Sequence, residues 1–233
     1  MNDLNGLRFT HDRVHIGGAI QSSESVGYRS ILNGLLATAL RVQNESFPRL
    51  AGIADRASER LLSGKNQLEL FVKADTDIQA CCYLPGASES PVVLLSSSIV
   101  ERLDEAELCY VIGHEIGHWA FRHSTKNSDH ENVNGVEQLK ILAASRCAEI
   151  SADRAGLVAC GDLNSAISAL IKVSSGLDSR NIRFDTQSLL KQYSEIVERG
   201  PSSNEALSTH PFFLLRVRAL VLFSRTVQFY RFS

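Results

Sequence analysis

Residues 104–121 commit this chain to one kind of packing. Asp104 can cap a helix, and Glu107 stands three residues later, the spacing of a capping box. From Glu105 to about Phe121 the pattern is helical. Leu108, Val111, Ile112, Ile116, Trp119 and Ala120 fall on one broad apolar arc at roughly 100° per residue. Glu115 lies inside that arc, where a carboxylate is costly to bury unless it is paired or close to a metal. Gly113 and Gly117 each weaken a helix interior by roughly 1 kcal/mol relative to alanine. They project to another side, where a missing side chain lets a neighbour approach closely. A helix built only for structure would gain by losing Glu115 and both glycines.

The same stretch contains His114-Glu115-Ile116-Gly117-His118, an instance of H-E-x-x-H. Residues four apart on a helix lie about 40° apart in projection and one turn apart along the axis, so both imidazoles can reach one ion. The glutamate between them can act as a base towards water held there. Coincidental matches to this pentapeptide occur on ordinary helices, so its surroundings decide. Catalytic zinc sites usually have three protein ligands and an open position. Glu149 is the candidate third ligand, on a second helical pattern over about Val136 to Ala159. That pattern's apolar face is Leu139, Ala143, Cys147, Ile150, Leu157 and Val158. Asp153 shares a side with Glu149 and can orient a histidine ligand. The plainer alternative is a solvated acidic pair. Further on, Ser208-Thr209-His210-Pro211 suits a helix start with proline at its first position, and Arg216 follows six residues after His210. His210 alone also admits a reading as a surface cap.

HEIGH, then Glu149-Ile150-Ser151-Ala152-Asp153, then Thr209-His210-Pro211 and Arg216, resembles the M48 family of zinc metallopeptidases, a gluzincin group. The run from Val92 to Leu108 resembles that family's approach to its active-site helix. The resemblance spans about Leu70 to Leu220. It implies a mainly helical α+β zincin-like fold with a small β-sheet on the HEIGH helix. It also implies zinc held by His114, His118 and Glu149, one ion per chain, with Glu115 as general base and then proton donor to the leaving amine. Asp153 would orient a ligand, and His210 would stabilise the oxyanion. Arg216 would be structural, pairing with an acidic group near the site. The expected activity is zinc-dependent endopeptidase cleavage of a peptide or unfolded protein. The rivals are a non-catalytic peptide-binding or chaperone-like module and a latent zymogen. The chain departs from the family in reading Gln79-Ala80-Cys81-Cys82-Tyr83 where relatives often have Asn-Ala-aromatic.

Three strands are expected, at Leu68–Val72, Ile78–Leu84 and Val92–Leu95, the second offering its edge to an extended peptide. Helices are expected over Tyr28–Gln43, Pro48–Leu62, Leu163–Ser174 and Thr186–Arg199. Residues 1–64 read as a helical segment packed on a peptidase core of residues 65–233. Vicinal Cys81 and Cys82 read as strand residues of alternating orientation. His123 lies about 140° around the helix from His118 and is expected to face away. His11 and His15 read as surface or strand residues. The polar stretch Ser124–Gly135, with His130, reads as a loop and candidate lid.

With 24 Lys+Arg against 26 Asp+Glu, the net charge of −2 offers no electrostatic case for nucleic acid. No apolar run approaches the roughly 18 residues needed to span a bilayer, the stretch Ile31–Leu40 being broken by Asn33. Met1–Gln21 shows no basic start followed by an apolar block. Five cysteines without C-x-x-C spacing suit reduced thiols, so a cytoplasmic location is expected.

Overall fold

The structure, a computed structural model, describes residues 24–62, 68–83, 90–123, 135–200 and 211–232. In chain order the elements are α1 (Glu24–Thr38), β1 (Leu40–Arg41), α2 (Pro48–Leu61), β2 (Glu69–Lys73), β3 (Ala80–Tyr83), β4 (Val92–Ser96), α3 (Ser97–Arg102), α4 (Glu105–Ala120), α5 (Gly135–Cys160), α6 (Leu163–Ser175), α7 (Thr186–Arg199), α8 (Phe213–Phe223) and α9 (Val227–Phe232). The fold is α+β, mainly helical, as the sequence led us to expect.

The sheet has the order β1-β2-β4-β3. β2 and β4 run parallel, while β3 lies antiparallel to β4 and forms one edge. Alternation of side chains sorts the strands between two apolar layers. Leu70, Val93, Leu95 and Cys82 join the main core with α4, whereas Phe71 and Val92 pack with Leu35 of α1 on the other face. The expected helix Tyr28–Gln43 therefore ends early. Past Thr38 the chain turns extended, Leu40 and Arg41 pair with Val72 and Phe71, and the Val42 amide donates to Leu70 at 2.8 Å. Sheet pairing overrides a helical pattern whose local preference is a weak prior.

α4 begins as expected: the Asp104 carboxylate accepts from the Glu107 amide and the Glu107 carboxylate accepts from the Asp104 amide. The second contact is part of a buried network. Lys172 of α6 donates to Glu107 at 2.6 Å, both residues being almost fully buried, and the Ser168 hydroxyl also donates to Glu107. α2 starts at Pro48, lies against α4 and α5, and its Arg60 donates to the last carbonyls of α5, on Val158 and Ala159.

α5 extends a residue beyond the expected helix at each end, but its proposed apolar face is only half used. Ile150, Leu157 and Val158 are buried, Ala143 and Cys147 are half-buried, and Leu139 is exposed. The first turns of α5 are thus largely solvent-facing among the described residues. A second correction concerns Pro211. Helix α8 starts at Phe213 with Phe212 as its N-cap, so the proline precedes the helix instead of opening it. Among the described residues no helix is long and apolar enough to cross a membrane.

Candidate metallopeptidase site

The site arises where α4 and α5 cross. A Cβ on Gly113 would collide with the Ala159 methyl. One on Gly117 would stand 2.8 Å from the Ala155 Cβ and 3.1 Å from the Ala152 Cα, and one on Gly156 would stand 2.7 Å from the Tyr110 carbonyl oxygen. The three glycines thus remove the side chains that would hold the helices apart. This is the close approach expected opposite the apolar arc, and it brings Glu149 of α5 over the histidines of α4.

The Nε2 atoms of His114 and His118 lie 3.0 Å apart. Glu149 Oε2 is 3.7 Å from the first, and its Oε1 is 3.5 Å from the second. Ligand atoms about 2.0–2.2 Å from one tetrahedral zinc ion should be separated by roughly 3.3–3.5 Å. The observed triangle brackets that range, and two imidazole nitrogens with one carboxylate form a donor set suited to zinc. His114, His118 and Glu149 could therefore hold the ion.

The far nitrogen of each imidazole is also engaged. His114 Nδ1 lies 3.0 Å from Asp153 Oδ1. Asp153 is wholly buried, and the Tyr110 hydroxyl donates to it at 2.7 Å. Arg216 of α8 clamps it through Nε (2.8 Å) and Nη2 (2.6 Å), with Nη1 reaching Glu149 at 3.3 Å. Burial alone would raise the Asp153 pKa, but Arg216 and then His114 outweigh it and hold the carboxyl well below the ordinary range. Burial likewise opposes charge on His114, yet the hydrogen bond and charge of Asp153, followed by Glu149 and Glu115, move it upward. Burial and the charge on His114 push His118 down to about 3, leaving that ring neutral at neutral pH.

Glu115 sits beside the triangle, 8% exposed, in a cleft of about 390 Å³. Burial first, and Glu149 among its neighbours, raise its pKa to about 6 against the opposing pull of His114, Arg216 and a hydrogen bond from the Cys82 amide. Gln79, Ala80 and Cys81 line the cleft alongside Glu115, so β3 at the sheet's edge borders it. Cys81 is exposed and Cys82 buried, the alternation expected. Burial, together with the Glu115 charge, raises both thiols, so neither is a ready thiolate.

Two residues at the site escaped sequence reasoning. Tyr110 is four residues before His114, and its spacing on the same helical face was available as a signal. His123 contradicts the expectation that it faces away: its Nδ1 lies 3.1 Å from His118 Nδ1. The projection failed because the helix stops at Ala120 and Arg122 adopts a left-handed φ of 56°. His11, His15, His130, the segment 124–134 and His210 lie outside the described residues.

The profile of Peptidase family M48 matches residues 45–134 and 129–222. The chain belongs to peptidase family M48. It is also similar to the plastoglobule-localized metallopeptidase 48, chloroplastic, of Arabidopsis thaliana, with 22% identity over 216 residues. That similarity covers 83% of this chain and 62% of the plant protein's length. The M48 match takes in α2, the sheet strands β2 to β4, the HEIGH helix, Glu149 and Arg216, and so includes every described residue of the triangle.

Proposed function

We propose that this M48 protein is a zinc-dependent endopeptidase acting on extended peptide or unfolded protein. One observation carries the reading: the Nε2 atoms of His114 and His118 and a Glu149 oxygen meet in the same cleft as a buried glutamate with a raised pKa. A zinc ion bound there would polarise the scissile carbonyl and acidify the attacking water. Glu115 takes a proton from that water at a carboxylate oxygen and hands it to the departing amide nitrogen. A pKa near 6 suits a group that must both accept and release a proton near neutrality. Asp153 holds His114 through Nδ1, leaving the Nε2 lone pair directed into the triangle, and Arg216 keeps Asp153 charged. His210 is the proposed partner of the oxyanion. The substrate would add a strand along the outer edge of β3. Residues 65–233 are the proposed peptidase core, and α2 from the N-terminal segment packs into it through Leu50, Ile53, Ala57 and Leu61. A reducing location, the cytoplasm, is favoured by five cysteines with none in a disulfide.

Zinc analysis paired with digestion of an unfolded protein tests this reading. Wild type and Glu115→Gln should each carry about one zinc per chain, and only wild type should cleave. Zinc without cleavage by the wild type would refute the peptidase reading, and absence of zinc would refute the site.

A further inference from the structure

α4 ends in a backbone cap that carries a third histidine back onto the ligand pair. The Arg122 amide donates to the Trp119 carbonyl at 3.1 Å, and the His123 amide donates to the His118 carbonyl at 3.0 Å. With Phe121 as the C-cap, these are the two hydrogen bonds of a Schellman motif. The residue one past the C-cap must then be left-handed, and glycine is the usual choice. Here it is Arg122, at φ 56°, with its guanidinium stacked 5.5 Å over the Trp119 ring. In this motif the side chain two past the C-cap characteristically folds back on the third residue from the helix end. Those two positions are His123 and His118. Their rings meet edge to face with centroids 5.1 Å apart, and their Nδ1 atoms stand at 3.1 Å.

A histidine that ligates through Nε2 carries its proton on Nδ1 and needs an acceptor there, which fixes both the ring's tautomer and its orientation. His114 has the Asp153 carboxylate in this role. From the geometry at the helix end we infer that His123 is the positioning residue of His118, accepting the Nδ1 proton at its own Nδ1 while the Schellman cap holds it in place. The two ligands are thus supported by unlike partners: one by a buried anion tied to Arg216, the other by a second imidazole delivered by the backbone. The inference rests on the proposed metal site.

Zinc affinity, measured by competition with a chromophoric chelator on the full chain, tests it. His123→Phe keeps an aromatic ring but lacks the acceptor, and should weaken zinc binding about 10–100-fold, the usual effect of losing such a partner. His123→Asn places its side-chain oxygen where Nδ1 stood and should recover most of that loss. Arg122→Pro, which cannot adopt positive φ, should displace His123 and match the phenylalanine variant. In zinc-loaded wild type, a through-hydrogen-bond coupling between the two Nδ1 nuclei should be visible by ¹⁵N NMR. Wild-type affinity in His123→Phe, or equal weakening by phenylalanine and asparagine, would overturn the inference while leaving the site reading intact. Failure of the wild type itself to bind zinc, with Glu149→Ala as its control, would remove the site and the inference together.

Discussion

Replacing Arg216 with methionine should destabilise the protein severely, and more at neutral pH than in acid. Asp153 is completely buried, and Arg216 meets it through two nitrogens at 2.6 and 2.8 Å, with a third 3.3 Å from Glu149. Methionine keeps most of the volume, so packing changes little, but Asp153 retains only Tyr110 and His114 as described partners. Breaking one side of a buried ion pair costs about 3–5 kcal/mol. At roughly 2–4 °C per kcal/mol for a chain of this size, the melting temperature should fall by about 6–20 °C. The pH dependence follows from the depressed Asp153 pKa. A carboxyl whose folded pKa lies below its unfolded value of about 3.9 contributes stability above that value and loses it as pH falls towards the folded pKa. The wild type should therefore weaken below about pH 5. In the variant the Asp153 pKa climbs, so less of its share remains to be lost, and the two melting curves should converge on acidification. Thermal melts of zinc-free protein at pH 7 and pH 4 provide the test. Adding Asp153→Asn to Arg216→Met should restore part of the loss. A fall smaller than about 3 °C at pH 7, or a gap that widens in acid, would refute the reasoning.

Other perturbations separate packing from chemistry. Gly113→Val should cost about 1–3 kcal/mol by overpacking against Ala159 and Gly156. Gly52→Ala, on α2 with open space around it, should gain about 0.4–1 kcal/mol; urea midpoints of the two variants should move in opposite directions. Lys172→Met leaves Glu107 buried without its cation and should cost about 3–5 kcal/mol, while chelator competition shows unchanged zinc affinity because the pair lies at the far end of α4. Removing the metal with a chelator should abolish cleavage reversibly, with far-UV circular dichroism unchanged.

How much of this could be read from the chain depends on whether the signal was local. The capping box at Asp104 and Glu107 involves neighbours, and it formed as expected. The glycines at 113 and 117 announced a close approach because their local cost had to be offset by something outside the helix. Glu149 and Asp153 stood out only as a pair four apart, and the resemblance of their setting supplied the rest. Three features were out of reach. Leu40 and Arg41 belong to a strand because β2 offers them an edge, a partner some thirty residues away. Leu139 near the start of α5 is exposed although it lies on the helix's apolar face, and no periodicity within α5 records that. His123 was misplaced because helical projection assumes the helix continues, and nothing in the identity of an arginine announces a left-handed backbone.

The glycine and alanine crossing of α4 and α5 has a consequence for how this protein tolerates change. With almost no rotamers between the two backbones, there is little slack in which thermal motion or a drifting neighbour could loosen the ligand triangle, so its stiffness is inherited from main chain against main chain. Residues 113, 117 and 156 should accordingly tolerate little although they carry no chemistry of their own, since a single added methyl there wedges apart the helices that hold His114, Glu115, His118 and Glu149.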